Sequence, residues 1–100
     1  MTAAEVQTAA KPALQSVSIA LSVLDALAAT PELSLSELAR RVGVAKSTAH
    51  RTCSVLTDVG MLSRTDSGRY RLGLRLIELG QLASARSPVG EHALPLLVEL

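Results

Sequence analysis

The residues with the greatest capacity for intermolecular chemistry lie between Lys46 and Arg51, where the sequence reads KSTAHR. This segment combines an ammonium group, two hydroxyl groups, an imidazole and a guanidinium group, and it contains no acid. Such donors bind phosphate oxygens, and a planar guanidinium can also engage two acceptors on the edge of a guanine. The segment therefore predicts contact with double-stranded DNA, with Arg51 as the best candidate for a base contact. His50 fits a base or phosphate contact and simple packing against its neighbours equally well.

The basic residues of the chain are concentrated in one stretch. Residues 40–75 contain eight basic and two acidic side chains, a net charge of +6, whereas the remainder contains two basic and seven acidic side chains, a net charge of −5. A basic block between acidic flanks favours a surface that faces a polyanion. The alternative is a solvated arginine-rich face without a ligand. The basic residues of the block are Arg40, Arg41, Lys46, Arg51, Arg64, Arg69, Arg71 and Arg75.

Two predicted helices position the KSTAHR segment. Ser34 and Glu37 have the spacing of a capping box, which opens the first helix, and Gly43 supplies the left-handed residue that ends it. The second helix is predicted from Lys46 to about Val59. Its charged residues lie in front and its apolar residues behind, as in the recognition helix of a helix-turn-helix. The inward positions are Leu38, Ala39 and Val42 of the first helix and Ala49, Cys53, Leu56 and Val59 of the second.

A β-hairpin is predicted directly after the second helix. Met61–Thr65 and Arg69–Leu72 read as strands, and the Asp-Ser-Gly segment between them tolerates the positive φ angles of a tight turn. Period-two alternation places Tyr70 and Leu72 inward and Arg69 and Arg71 outward. A hairpin in this position is the wing of a winged helix-turn-helix. A plain stabilising hairpin is the alternative for any single arginine of the wing, and Arg41 of the preceding helix fits phosphate contact and solvation equally well.

The outer segments complete a mainly α domain at residues 16–83. Residues 1–15 are predicted to be a mobile tail, and a first helix is expected from Ser16 or Ser18 to the Thr30-Pro31 pair. A fourth helix is expected over residues 74–83. Residues 84–100 read as a linker followed by the start of a truncated second domain. The predicted apolar stripe of the first helix consists of Val17, Ala20, Leu21, Leu24, Leu27 and Ala28.

Several other functions find little support in the residues. Cys53 lies near His50, but its predicted inward position and the lack of a nearby orienting acid argue against a nucleophile, so we predict no enzyme activity. No Cys and His spacing suits zinc, and no glycine-rich phosphate loop indicates a cofactor. The longest apolar runs are far below the ~20 residues of a membrane span, and the N-terminus lacks a secretory signal. We therefore expect a cytoplasmic protein without membrane contact.

The chain resembles the DNA-binding domain of IclR-type bacterial transcription regulators over about residues 16–83. The similar segments are SVSIALSVLDALA, LSLSELARRVGVAKSTAHR, the GML exit and YRLGLRLIELG. This resemblance implies a winged helix-turn-helix, homodimers on near-palindromic operators, and a C-terminal domain that binds a small-molecule effector. It also implies that Arg69 lies in the wing and that five residues of the second helix of the pair face DNA, namely Lys46, Ser47, Thr48, His50 and Arg51.

A winged-helix module for protein–protein interaction or dimerisation, without DNA binding, is the alternative. Such a module would expose apolar residues on its third helix and wing, whereas this sequence has charged and polar residues there. DNA binding is therefore the favoured hypothesis. The complete set of predicted DNA contacts is Arg41, Lys46, Ser47, Thr48, His50, Arg51, Arg64, Arg69 and Arg71.

Overall fold

A computed structural model describes residues 12–87 of the chain. Its helices are α1 (Pro12–Ala29), α2 (Leu35–Val42), α3 (Lys46–Asp58) and α4 (Leu74–Arg86), and its strands are β1 (Leu62–Arg64) and β2 (Tyr70–Leu72). Helix α1 packs against α2, α3 and β2, while α2 and α3 pack against each other. This is the predicted three-helix core with a two-stranded wing.

The core is aliphatic, as expected of a chain without Phe or Trp. Each of the three core helices contributes to it, and so do the α1–α2 connection and both strands. The sole tyrosine, Tyr70, is only 2% exposed and packs into the core from the turn end of β2. The buried cluster consists of Val23, Leu27, Leu33, Leu38, Cys53, Leu62 and Tyr70.

Helix α1 begins earlier than predicted, and its packed face matches the predicted stripe only in part. Pro12 is its first residue, because proline lacks the amide hydrogen that a first helical turn leaves unpaired and has a φ angle suited to the helix. Leu27 is buried as predicted, but Val23, outside the predicted stripe, is buried too, whereas Val17 and Leu21 are each 57% exposed. Valine and leucine occur on several faces of this helix, so periodicity identified the packed face only in part. The remainder of the predicted tail lies outside the described residues.

The helix-turn-helix itself forms as predicted. The Ser34 hydroxyl accepts a hydrogen bond from the Glu37 amide (3.2 Å), and a Glu37 carboxylate oxygen accepts one from the Ser34 amide (2.8 Å), completing the capping box. Gly43 ends α2 with φ +80°, in the left-handed region that an L-residue with a Cβ rarely adopts. Helix α3 buries Ala49 and Cys53, but Val59 lies beyond its end and is 54% exposed, contrary to its predicted inward position.

The wing is joined to the core by a third short extended segment. Strands β1 and β2 pair antiparallel with Leu62 opposite Leu72, and Leu33 exchanges two backbone hydrogen bonds with Tyr70, of 2.8 and 3.1 Å. Both strands are shorter than predicted. Tyr70 points inward as expected, but Leu72 is 40% exposed, although its cross-strand partner Leu62 is buried. Sequence alternation identified two faces of β2 without showing how far the core extends along it.

Helix α4 leaves the wing with few internal contacts. A Cβ at Gly73, just before the helix, would collide with the carbonyl oxygen of Gly60, so the close approach of these two backbones requires glycine. The helix continues to Arg86, three residues beyond the predicted end, and none of its residues is buried. The predicted helix from residue 91 lies outside the described residues.

Candidate nucleic-acid interface

Helix α3 buries two small residues and leaves most of its polar residues accessible. Ala49 and Cys53 are fully buried, and burial of the thiol raises the pKa of Cys53, which keeps it neutral and poorly nucleophilic. Of the predicted contact residues, Lys46, Ser47, His50 and Arg51 are exposed and Thr48 is half-buried. The structure therefore leaves four of the five KSTAHR candidates exposed within the first two turns of one helix.

The N-terminus of α3 has no side-chain cap. Its N-cap residue is Ala45, whose extended backbone suits a cap but whose methyl group cannot accept a hydrogen bond. The first-turn amides of a helix have no intrahelical acceptor, and they carry the positive end of the helix dipole. Lys46 and Ser47 stand at the same end. These groups can donate hydrogen bonds to the oxygens of a phosphate diester.

The other predicted arginines are distributed over α2 and the wing. Arg41 is exposed in the last turn of α2. Arg71 is exposed on β2, beside the wing turn in sequence. Arg64, at the end of β1, is exposed as well; its guanidinium carbon lies 5.2 Å from the centre of the Tyr70 ring, and its Nε donates to the Gly68 carbonyl (3.3 Å). These contacts hold the Arg64 side chain against the wing with its charge accessible.

Arg69 has a different environment from the other wing arginines. Its Nη2 donates to the Glu37 carboxylate (2.9 Å) and to the Glu32 backbone carbonyl (3.4 Å), and its Nε lies 3.9 Å from the Glu32 carboxylate. The side chain was predicted to point away from the domain, and it turns instead towards the start of α2. Its predicted DNA contact stays a prediction.

Glu37 is therefore shared between the capping box and the wing. The Ser34 amide and hydroxyl groups lower the pKa of the Glu37 carboxyl, and the charges of Arg69 and Arg40 act in the same direction. Sequence reasoning identified Glu37 as a cap but missed its link to Arg69. An ion pair between residues 32 positions apart has no local signature, so only an acid and a base of suitable reach could have suggested it.

Neither a metal site nor a membrane-spanning helix is found among the described residues. Within residues 12–87, no group of His, Cys, Asp and Glu side chains is arranged to hold a metal ion. None of the helices in that range is both long and apolar enough to cross a membrane.

Comparison with known proteins identifies a family and several relatives of this chain. Residues 16–66 match the family model described as the IclR helix-turn-helix domain. The HTH-type transcriptional regulator KipR of Bacillus subtilis is 40% identical over 80 residues, which cover 80% of this chain and 32% of that protein. The crystal structure of an IclR-type transcriptional regulator from Alicyclobacillus acidocaldarius superimposes with a TM-score of 0.74 at 37% identity, over 81% of this chain and 34% of that one.

A third similar protein is an IclR homologue from Microbacterium hydrocarbonoxydans whose crystal structure contains 4-hydroxybenzoate. It is 34% identical, with a TM-score of 0.61 over 64% of this chain and 27% of that chain. The present chain thus spans about a third of the length of its relatives. These relatives are transcription regulators, which supports DNA binding over the protein-interaction alternative. The chain belongs to the IclR family, and its winged helix-turn-helix is the DNA-binding domain of a transcription regulator.

Proposed function

We propose that α3 lies in the major groove of an operator and that its exposed face reads the sequence. The observation that carries this proposal is that α3 buries Ala49 and Cys53 while Lys46, His50 and Arg51 stay exposed at its N-terminal end. Arg51 is assigned to a guanine edge, because its fork can reach two acceptors. The uncapped helix N-terminus, with Lys46, Ser47 and Thr48, is assigned to a backbone phosphate.

The wing and the end of α2 would hold the flanking backbone. Arg64 and Arg71 are exposed on the two strands, and Arg41 is exposed at the end of α2. Phosphate contacts of this kind fix the register of a protein on the duplex without reading bases. Arg64, held against Tyr70, loses little conformational freedom when it binds.

Homodimerisation is the second part of the proposal. Helix α4 has no buried residue, and Leu74, Ile77 and Leu82 are 77%, 55% and 44% exposed. A near-palindromic operator requires two copies related by a two-fold axis, and the apolar residues of α4 would pack against those of the second copy. The full-length protein would act in the cytoplasm, and a C-terminal domain would bind the small-molecule effector.

Fluorescence anisotropy with DNA from upstream of the protein's own gene tests the DNA-binding proposal. A scrambled duplex of the same composition is the control, and both are titrated at several salt concentrations. We expect tighter binding to the upstream DNA and a linear fall of log affinity with log salt. Equal affinity for both duplexes would contradict sequence reading by this chain, and no binding at low salt would favour a protein-interaction module.

A further inference from the structure

The wing is connected to the start of α2 by one arginine side chain. Arg69 immediately precedes β2, and its Nη2 reaches both the carboxylate of Glu37 and the backbone carbonyl of Glu32. The Arg69 backbone at the same time closes the wing turn: its amide donates to the Thr65 hydroxyl (3.0 Å), and its carbonyl accepts from the Thr65 amide (2.7 Å). A single residue thus joins the wing turn to the α1–α2 connection and to α2.

The acceptor of this contact is itself held in place. The same carboxylate oxygen of Glu37 that binds Arg69 also accepts the Ser34 amide, while the Glu37 amide donates to the Ser34 hydroxyl. The Leu33–Tyr70 backbone pair already attaches the wing to the α1–α2 connection at the turn end of β2, next to Arg69. The Arg69–Glu37 contact adds an attachment to α2 itself, and attachment to two segments restrains rotation of the wing better than attachment to one.

We propose that Glu37 and Arg69 are a positioning pair that sets the angle of the wing relative to the helix-turn-helix, and that Arg69 contributes to DNA binding through this contact rather than through a phosphate. The inference rests on the proposed DNA-binding function. With the wing held in this orientation, Arg64 and Arg71 are presented to the flanking backbone. The side chains of Arg69 and Glu37 are 41% and 36% exposed, so the pair contributes little to overall stability and its removal leaves the domain folded.

A positioning role for the pair and a purely electrostatic role predict opposite effects of replacing Glu37 on DNA affinity. If only long-range electrostatics mattered, Glu37→Gln would strengthen DNA binding, because it removes a negative charge beside the wing. If the pair positions the wing, the same variant weakens binding by about three- to tenfold, the cost of ordering a loosened segment on the DNA. Glutamine at this position preserves the capping box, so the substitution isolates the charged contact.

The salt dependence separates the two roles of Arg69. Loss of one phosphate contact lowers the slope of log affinity against log salt by about 0.9. We expect Arg69→Gln to weaken binding about as much as Glu37→Gln without changing this slope, and the double variant to bind no more weakly than either single variant. Arg71→Gln, two positions further along the chain in β2, is the matched control and should lower the slope. If Arg69→Gln does not fold, Arg69→Lys, which keeps the charge, takes its place in this experiment.

Amide hydrogen exchange in the free protein tests the pair independently of DNA. The Thr65 amide, bonded to the Arg69 carbonyl, should exchange faster in Glu37→Gln, whereas amides in the centre of α3 should be unaffected. A reduced salt slope for Arg69→Gln together with tighter binding by Glu37→Gln would overturn the proposal, as would unchanged exchange of the wing amides. Failure of the unaltered protein to bind any duplex would instead refute the proposed function, and the exchange result would still decide whether the pair holds the wing.

Discussion

At the scale of single residues, the division of α3 between core and surface determines what each side chain can do. Ala49 and Cys53 have no exposed area, so they contribute packing alone, and the raised pKa of the Cys53 thiol is a consequence of that burial. Arg51 is exposed on the same helix. Its length and planar fork make it the residue of α3 best suited to distinguish one base from another.

Replacement of Arg51 by Ala should therefore change specificity as well as affinity. We expect a loss of about 1–3 kcal/mol at the preferred operator and a relaxed preference at one base position. Lys46→Ala is the control, because loss of a phosphate contact should weaken binding to all sequences alike. Anisotropy titrations against an operator library would measure both effects, and an unchanged base preference in Arg51→Ala would refute the assignment.

At the scale of elements, α2 and α3 differ in how their N-termini are satisfied. Helix α2 has a complete capping box, whereas α3 begins at an alanine that supplies no hydrogen-bond acceptor. A missing cap lowers helix stability but leaves amide groups available for a ligand. A helix that binds DNA can therefore lack a cap: it is less stable, but its first amides remain available to a phosphate.

Substitutions at Ala45 can separate these two effects. Ala45→Ser and Ala45→Asp should each stabilise the domain by about 1 kcal/mol, since the extended backbone at this position suits a cap. The aspartate variant should nevertheless bind DNA more weakly, because its carboxylate occupies the amides and repels the phosphate. Urea unfolding and anisotropy would measure stability and affinity. If the aspartate variant bound DNA as tightly as the serine variant, the α3 N-terminus would not lie at a phosphate.

At the scale of the whole molecule, one carboxylate connects the helix-turn-helix to the wing. Glu37 accepts hydrogen bonds from Ser34 and Arg69, and its pKa is lowered chiefly by the Ser34 hydrogen bonds. A carboxyl group whose pKa is lower in the folded state stabilises the protein above its unfolded pKa, and that contribution is lost as the pH falls through the folded pKa. Acid should therefore loosen this connection.

The pH dependence of thermal unfolding tests this linkage. Wild-type protein should exceed Glu37→Gln in Tm at neutral pH, and the difference should shrink as the pH falls through the lowered pKa of Glu37 and the carboxyl group becomes protonated. Glu78→Gln, on α4, is a suitable control for a general loss of negative charge. A Tm difference that stays constant across this range would show that the Glu37 charge does not stabilise the fold.

The proposed homodimerisation can be tested at the same scale. Ile77→Glu places a charge among the exposed apolar residues of α4, where desolvating it in a dimer would be costly. We expect weaker self-association by analytical ultracentrifugation and weaker binding to two-half-site DNA, with single-half-site binding preserved. Asp58→Asn, on α3, serves as a control for altered charge. Unchanged self-association would exclude Ile77 from the dimer interface.

The local elements of this protein were determined by the sequence alone. The Ser34–Glu37 capping box, the Gly43 helix end and the hairpin turn depend on residues close together in the chain, so their spacing predicted them. The burial of Ala49 and Cys53 on α3 followed from helical periodicity. The combination of these segments also indicated membership of the IclR family.

Only the tertiary structure decided which surfaces meet. Val23 rather than Val17 is buried on α1, because apolar residues on several faces of that helix leave its rotation to the partners that pack against it. Leu72 is 40% exposed although Leu62, opposite it in the hairpin, is buried. Arg69 points to Glu37 rather than outward, because the Leu33–Tyr70 pairing brings the wing beside the start of α2. These outcomes depend on contacts between residues distant in sequence, which no local pattern encodes.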